Sequence, residues 1–234
     1  MICNILPLLA FVLMSYSTAD VKVTEPTVLT SSTESAFEMK AESVFNNLIS
    51  NNHALPTSAT FKKALVGFYD LKQKGMIKKD IITIVDFTMP STKKRMWIID
   101  LSTNTILYNS LVAHGRNTGS DFADNFSNAA ESYKSSLGFY STGEVYNGKH
   151  GMSLKLDGLQ KGLNDNARSR AVVIHGADYV SESFIKSQGR LGRSHGCPAV
   201  PVELTKEIIN KIKGKSCLFI YHPSYSKKNS AIVS

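Results

Sequence analysis

The residues best suited to chemistry in this sequence lie in the run Ser194-His195-Gly196-Cys197-Pro198-Ala199-Val200. A thiol is a weak nucleophile until it loses its proton, which a free cysteine does with a pKa of about 8.5. An imidazole close by can take that proton and hold the thiolate. Gly196 carries no side chain, so its backbone can come close to a reacting carbonyl. The N–H groups of Gly196 and Cys197 could then donate to a developing oxyanion. Pro198 fixes the exit from the turn. The partner imidazole is His175, at the end of the apolar run Val172-Val173-Ile174-His175-Gly176. A histidine at a strand tip is by itself more often structural. Followed by Ser-His-Gly-Cys after eighteen intervening residues, it reads as a general base.

Other chemistry is open to the same residues. Cys197 and Cys217 could form a disulfide, as an even pair does in an oxidising compartment. His175, His195 and Cys197 could hold zinc with His114 or His150, although no CxxC or HxxxH spacing supports it. A wall-binding module that keeps the fold without catalysis is a third possibility. Reactive thiols separate these: two free thiols exclude the disulfide, and activity lost to an alkylator but not to a chelator excludes zinc.

The elements that must position these residues can be read from periodicity. Ser35 caps a first helix carrying Phe37, Val44, Phe45 and Leu48 through about Ile49. Thr60 to Lys74 is a second, with Phe61, Leu65, Phe68 and Leu71 on one face. From Ile81 the pattern turns to short β-branched and aromatic runs: Ile81 to Phe87, Met96 to Leu101, Ile106 to Val112, Gly138 to Tyr146, Ala171 to Ile174 and Cys217 to Tyr221. Val202 to Lys213 is helical. The expected organisation is a helical segment over 36–79, a mainly β domain of α+β type over 80–223, and a solvated tail over 224–234.

Taken together the motifs resemble the YkuD-type L,D-transpeptidases, most of all the murein L,D-transpeptidase catalytic domain branch. Val112-Ala113-His114-Gly115, Tyr133 to Tyr140 and Leu156-Asp157-Gly158-Leu159 add to the likeness. The resemblance implies a β-sandwich or barrel catalytic domain in which Cys197 is acylated and His175 is its base. It implies that the Gly176 carbonyl orients the imidazole, that His195 and Ser194 shape the acyl pocket, and that Arg193 meets a substrate carboxylate. His114 and Tyr140 are candidates for lining the cleft. The implied partners are peptidoglycan stem peptides, with no cofactor and no metal. The sequence leaves the oligomeric state open. Pro198-Ala199 departs from the polar or basic residues that many members carry after the cysteine.

Composition agrees with an exported globular protein. Of 234 residues, 42% are hydrophobic and 20% charged, and the formal net charge is +8. The positive charge is dispersed and suits acidic polymers in general. No nucleic-acid recognition motif accompanies it. Ile5 to Met14 is too short to span a bilayer as a helix. Followed by Ser17-Thr18-Ala19, it reads as a signal over residues 1–19, with a Thr- and Ser-rich linker over 20–35. The expected location is the periplasm or cell wall, with no stable membrane span once the signal is cleaved.

Overall fold

The computed structural model describes residues 31–225. The expected signal, most of the linker and most of the tail lie outside them. The order of elements is α1 (Ser31–Asn46), α2 (Ser58–Gln73), β1 (Ile81–Asp86), β2 (Met96–Asp100), β3 (Thr105–Ser110), β4 (Gly138–Gly148), β5 (Gly151–Gly158), β6 (Val173–Gly176), α3 (Glu182–Gln188), β7 (Ala199–Val200), α4 (Val202–Ile212) and β8 (Cys217–Tyr221). The helix α1 begins at Ser31, inside the stretch expected to be linker and four residues before the expected cap at Ser35.

Eight strands form one sheet in the order β3-β2-β1-β8-β4-β5-β6-β7. The pairs β1–β8 and β6–β7 are parallel and the others antiparallel. The sheet curls until its ends nearly meet. Just past β3, the Ala113 N–H donates to the Ala199 carbonyl of β7 (2.9 Å), and Ala113 bridges Ala199. The expected mainly β catalytic fold is therefore the observed one, a nearly closed barrel with four helices.

The central strands are buried on both faces, which is why they read as continuous apolar runs. Period-two alternation divides them between two cores. Ile82 and Ile84 of β1, Trp97 and Ile99 of β2, and Cys217, Phe219 and Tyr221 of β8 face one core. There they meet Phe61, Ala64, Leu65, Phe68 and Leu71 of α2. Val85, Met96, Ile98, Leu218 and Ile220 face the other, closed by Ile208, Ile209 and Ile212 of α4. Thr57 caps α2, its hydroxyl accepting from the Thr60 N–H (3.3 Å). The strand expected from Ala171 starts instead at Val173, because Ala171 is in the left-handed region at φ 53°.

Candidate active site

His175 is the third residue of β6, and β7 begins two residues after Cys197. The parallel register sets His175 opposite Ala199, so imidazole and thiol arrive on neighbouring strands. Cys197 stands just beyond the end of the short strand β7, where the ladder has stopped. Its sulfur takes over there: Sγ accepts from the Val173 N–H (3.5 Å) and faces the Ala171 carbonyl at 3.7 Å. Among the described residues no hydrogen bond joins Sγ to His175.

The imidazole is held from its far side. Nδ1 lies 2.9 Å from the Gly176 carbonyl, and a carbonyl only accepts, so Nδ1 carries the proton and Nε2 the lone pair. Nε2 has no hydrogen-bond partner among the described residues. Burial lowers the His175 pKa below its usual value; the Gly176 carbonyl opposes this, while His150 and Lys149 add to it. The lowered pKa favours the neutral ring. Gly176 has to be a glycine, because a Cβ there would lie 2.4 Å from Thr205 Oγ1 on α4.

The Ser194–Cys197 turn is closed by one hydroxyl. Ser194 Oγ accepts from the Gly196 N–H (3.0 Å) and donates to the Cys197 carbonyl (2.6 Å). Gly196 sits at φ 122°, and a Cβ there would come within 2.7 Å of the Lys134 carbonyl. One expectation is corrected here. The Gly196 N–H is already taken by Ser194, whereas the Cys197 N–H has no acceptor among the described residues. Burial raises the Cys197 thiol pKa, and the Val173 N–H, Arg170 and Lys149 work against that rise.

The model of the L,D-transpeptidase catalytic domain matches residues 52–221, from the loop before α2 to the last residue of β8. The chain belongs to this family. No curated relative matches the chain significantly. Among solved structures, an L,D-transpeptidase from Mycobacterium smegmatis is similar at 10% identity, with 61% of this chain and 59% of that chain covered and a TM-score of 0.38. The helical cell shape determining protein Pgp2 from Campylobacter jejuni is similar at 13% identity, with 68% and 58% covered and a TM-score of 0.41. An L,D-transpeptidase from Mycobacterium tuberculosis is similar at 12% identity, with 61% and 58% covered and a TM-score of 0.37. The chain spans less than two thirds of each of these proteins.

Within this L,D-transpeptidase domain the other expected site residues divide into two groups. His195 is exposed at the rim, its ring edge-on to Tyr133 with centroids 4.7 Å apart. Arg193 is half-buried, and its guanidinium donates to the Gly119 carbonyl (3.1 Å). His114 and Tyr140, expected to line the cleft, are instead fully buried. His114 Nδ1 meets the Arg95 guanidinium at 2.8 Å and Nε2 the Gly119 carbonyl at 3.3 Å, while its own carbonyl accepts from the Ser194 N–H. It supports the Ser194–Cys197 turn from behind. Burial and the adjacent Arg95 press its pKa down to about 4. Tyr140 points inward by the alternation of β4, and its phenol donates to the Ser136 carbonyl (2.8 Å).

Of three further neighbours of the site, His150 was read in the sequence only as a possible zinc ligand, and Lys149 and Arg170 were not read at all. His150, at the tip of the β4–β5 hairpin, stacks on His175 with centroids 4.5 Å apart and planes 22° apart. Lys149 is beside it on the same turn. The signal was present in Gly148-Lys149-His150-Gly151, a glycine-flanked turn between two alternating runs. Arg170, five residues before His175, has no local signal at all. Both cysteines of the described chain are free. Among the described residues no group of three His, Cys, Asp or Glu is placed to hold a metal ion.

Proposed function

We propose that this chain is a peptidoglycan L,D-transpeptidase with Cys197 as nucleophile and His175 as base. The observation that supports it is that His175 sits on β6 and Cys197 on the turn leading into its parallel neighbour β7, with Nδ1 tied to Gly176 and Nε2 without a partner among the described residues. Residues 80–223 form the catalytic unit and 36–79 the helical segment packed against it. Stem peptides are the substrate, and the site of action is the periplasm or cell wall.

The reaction runs in two steps. Nε2 of His175 removes the Cys197 proton, which requires the side chains to turn toward each other across the strand pair. The thiolate attacks the carbonyl between an L-configured diamino acid centre and the terminal D-Ala of a tetrapeptide stem. The Cys197 N–H donates to the tetrahedral oxyanion. When the C–N bond breaks, the imidazolium returns its proton to the D-Ala amine and a thioester remains. The side-chain amine of a second stem then attacks the thioester, giving its proton to His175, and the thiol is restored. The product is a 3–3 cross-link; water in place of the amine trims the stem instead. His195 and Arg193 line the approach on the outer side, and Arg193 keeps guanidinium donors for a substrate carboxylate.

Defined tetrapeptide muropeptides incubated with the protein should lose D-Ala and gain cross-linked dimers by mass analysis. The same mixture with Cys197→Ala should be unchanged. Equal turnover by the two proteins would remove Cys197 from the chemistry.

A further inference from the structure

Two arginines stand two residues apart before β6 and have opposite surroundings. Arg168 is exposed and neutralised, paired with both Asp157 and Glu144. Arg170 is half-buried, and among the described residues no carboxylate pairs with it. Its guanidinium is instead spent on neutral oxygens of one loop. It donates to the carbonyls of Ser127 (2.9 Å) and Lys134 (2.6 Å), and to the hydroxyls of Ser132 (3.3 Å) and Ser136 (3.4 Å).

That loop lies directly under the nucleophile turn. The Lys134 carbonyl which Arg170 holds is the atom nearest the position of a Cβ on Gly196, and the guanidinium itself is 3.3 Å from that position. Ser135 Oγ donates to the Gly196 carbonyl (3.2 Å). The loop is also strained, with Glu131 and Tyr133 at φ 53° and 52°, so it needs an external clamp to keep this form. Ala171, next to Arg170 in the chain, is left-handed as well and presents its carbonyl to Sγ.

We propose that Arg170 is the positioning residue of the Cys197 turn, clamping loop 127–136 beneath Gly196 and supplying the uncompensated positive charge that the thiolate faces. This rests on Cys197 being the nucleophile. It gives the thiolate a resting counter-charge that does not depend on contact with His175. The charged and titratable groups around the sulfur are few. Arg170 lies on the turn before β6, Lys149 on the β4–β5 tip, His175 on β6 and Tyr179 just past it, while Tyr140 of β4 faces the guanidinium from the other side. None of them is a carboxylate. Of the two cations among them, Arg170 is the one that hydrogen bonds fix and that packs against the turn.

The test is the pH dependence of Cys197 alkylation by iodoacetamide, read by peptide mapping in folded protein. Arg170→Gln should move the midpoint upward by about one pH unit, the low end of what losing a nearby opposite charge does. Arg170→Lys keeps the charge and should stay near wild type. A folded Arg170→Gln protein with the wild-type midpoint overturns the inference, and so does a Lys variant shifted as far as the Gln variant. If Arg170→Gln loses its cooperative melt, the Lys variant decides alone, since a midpoint raised by a full unit there contradicts a charge effect. No muropeptide is used, so an inactive wild type would sink the transpeptidase proposal and leave this result readable. Turnover by the wild type with an unmoved Gln midpoint would sink only the role of Arg170.

Discussion

Cys217 and Cys197 belong to one sheet and have opposite surroundings. Cys217 opens β8, between β1 and β4 in the middle of the strand order, and is fully buried. Burial alone acts on its thiol and pushes the pKa far up. Cys197 lies off the end of β7, the last strand of that order, and is half-buried. Burial raises its pKa too, but a backbone N–H and two cations oppose it. The contrast between the two thiols comes from where the ladder stops. In the centre Cys217 is flanked on both sides, by Ile82 of β1 and Ser141 of β4. At the β6–β7 end, Val173 still has an N–H to offer and the sulfur accepts it.

Changes at the edge should act on chemistry and changes in the centre on stability. The largest expected effect is at His175. His175→Gln removes the base while leaving a side chain of similar reach, and should slow D-Ala release by about 10²–10⁴-fold with little change in melting temperature. A drop in both by similar proportions would mean that His175 is structural, like the central residues.

His114 lies between the two regions and should show mixed behaviour through acid stability. Its pKa is about 4 in the folded chain, below the 6.5 of a free histidine. The unfolded chain therefore binds the proton first as pH falls. The stability this group contributes is complete above pH 6.5 and is lost on the way down to pH 4, on the order of 3 kcal/mol. Denaturant melts across that range should show the loss, and His114→Gln should flatten it. An equally steep slope in the variant would assign the acid sensitivity elsewhere.

The smallest effect belongs to the centre. Thr83 on β1 is buried, and its hydroxyl is the one buried side-chain polar atom among the described residues without a hydrogen bond. Thr83→Val should stabilise the fold by about 1 kcal/mol, raising the melting temperature by about 2–4 °C and leaving turnover alone. Destabilisation instead would show that the hydroxyl has a partner in solution.

The centre was also the legible part of the sequence. Cys217 to Tyr221 was read residue for residue, and Ile81 and Met96 were read as strand starts, because strands buried on both faces leave unbroken apolar runs. β5 was missed although Met152, Leu154 and Leu156 alternate with polar residues. So was α3, although Ser181 and Gly189 are its caps. The two residues of β7 leave no periodic trace. At the site, the motif pointed to Cys197 and His175, while His114 and Tyr140, expected to line the cleft, are buried, since which face a residue takes depends on how the chain past β3 and along β4 curls. Arg170 could not be found, because its partners lie 34 to 43 residues away along an irregular loop.

The central claim, that one sulfur at the edge of the sheet becomes acylated, is tested most directly by intact-mass and peptide analysis of protein quenched in acid soon after mixing with a tetrapeptide stem. A covalent adduct of the stem less its terminal D-Ala, confined to the peptide containing Cys197, is the predicted result. An adduct on Cys217, or substrate consumed with no adduct on either thiol even when acceptor is withheld, would contradict it.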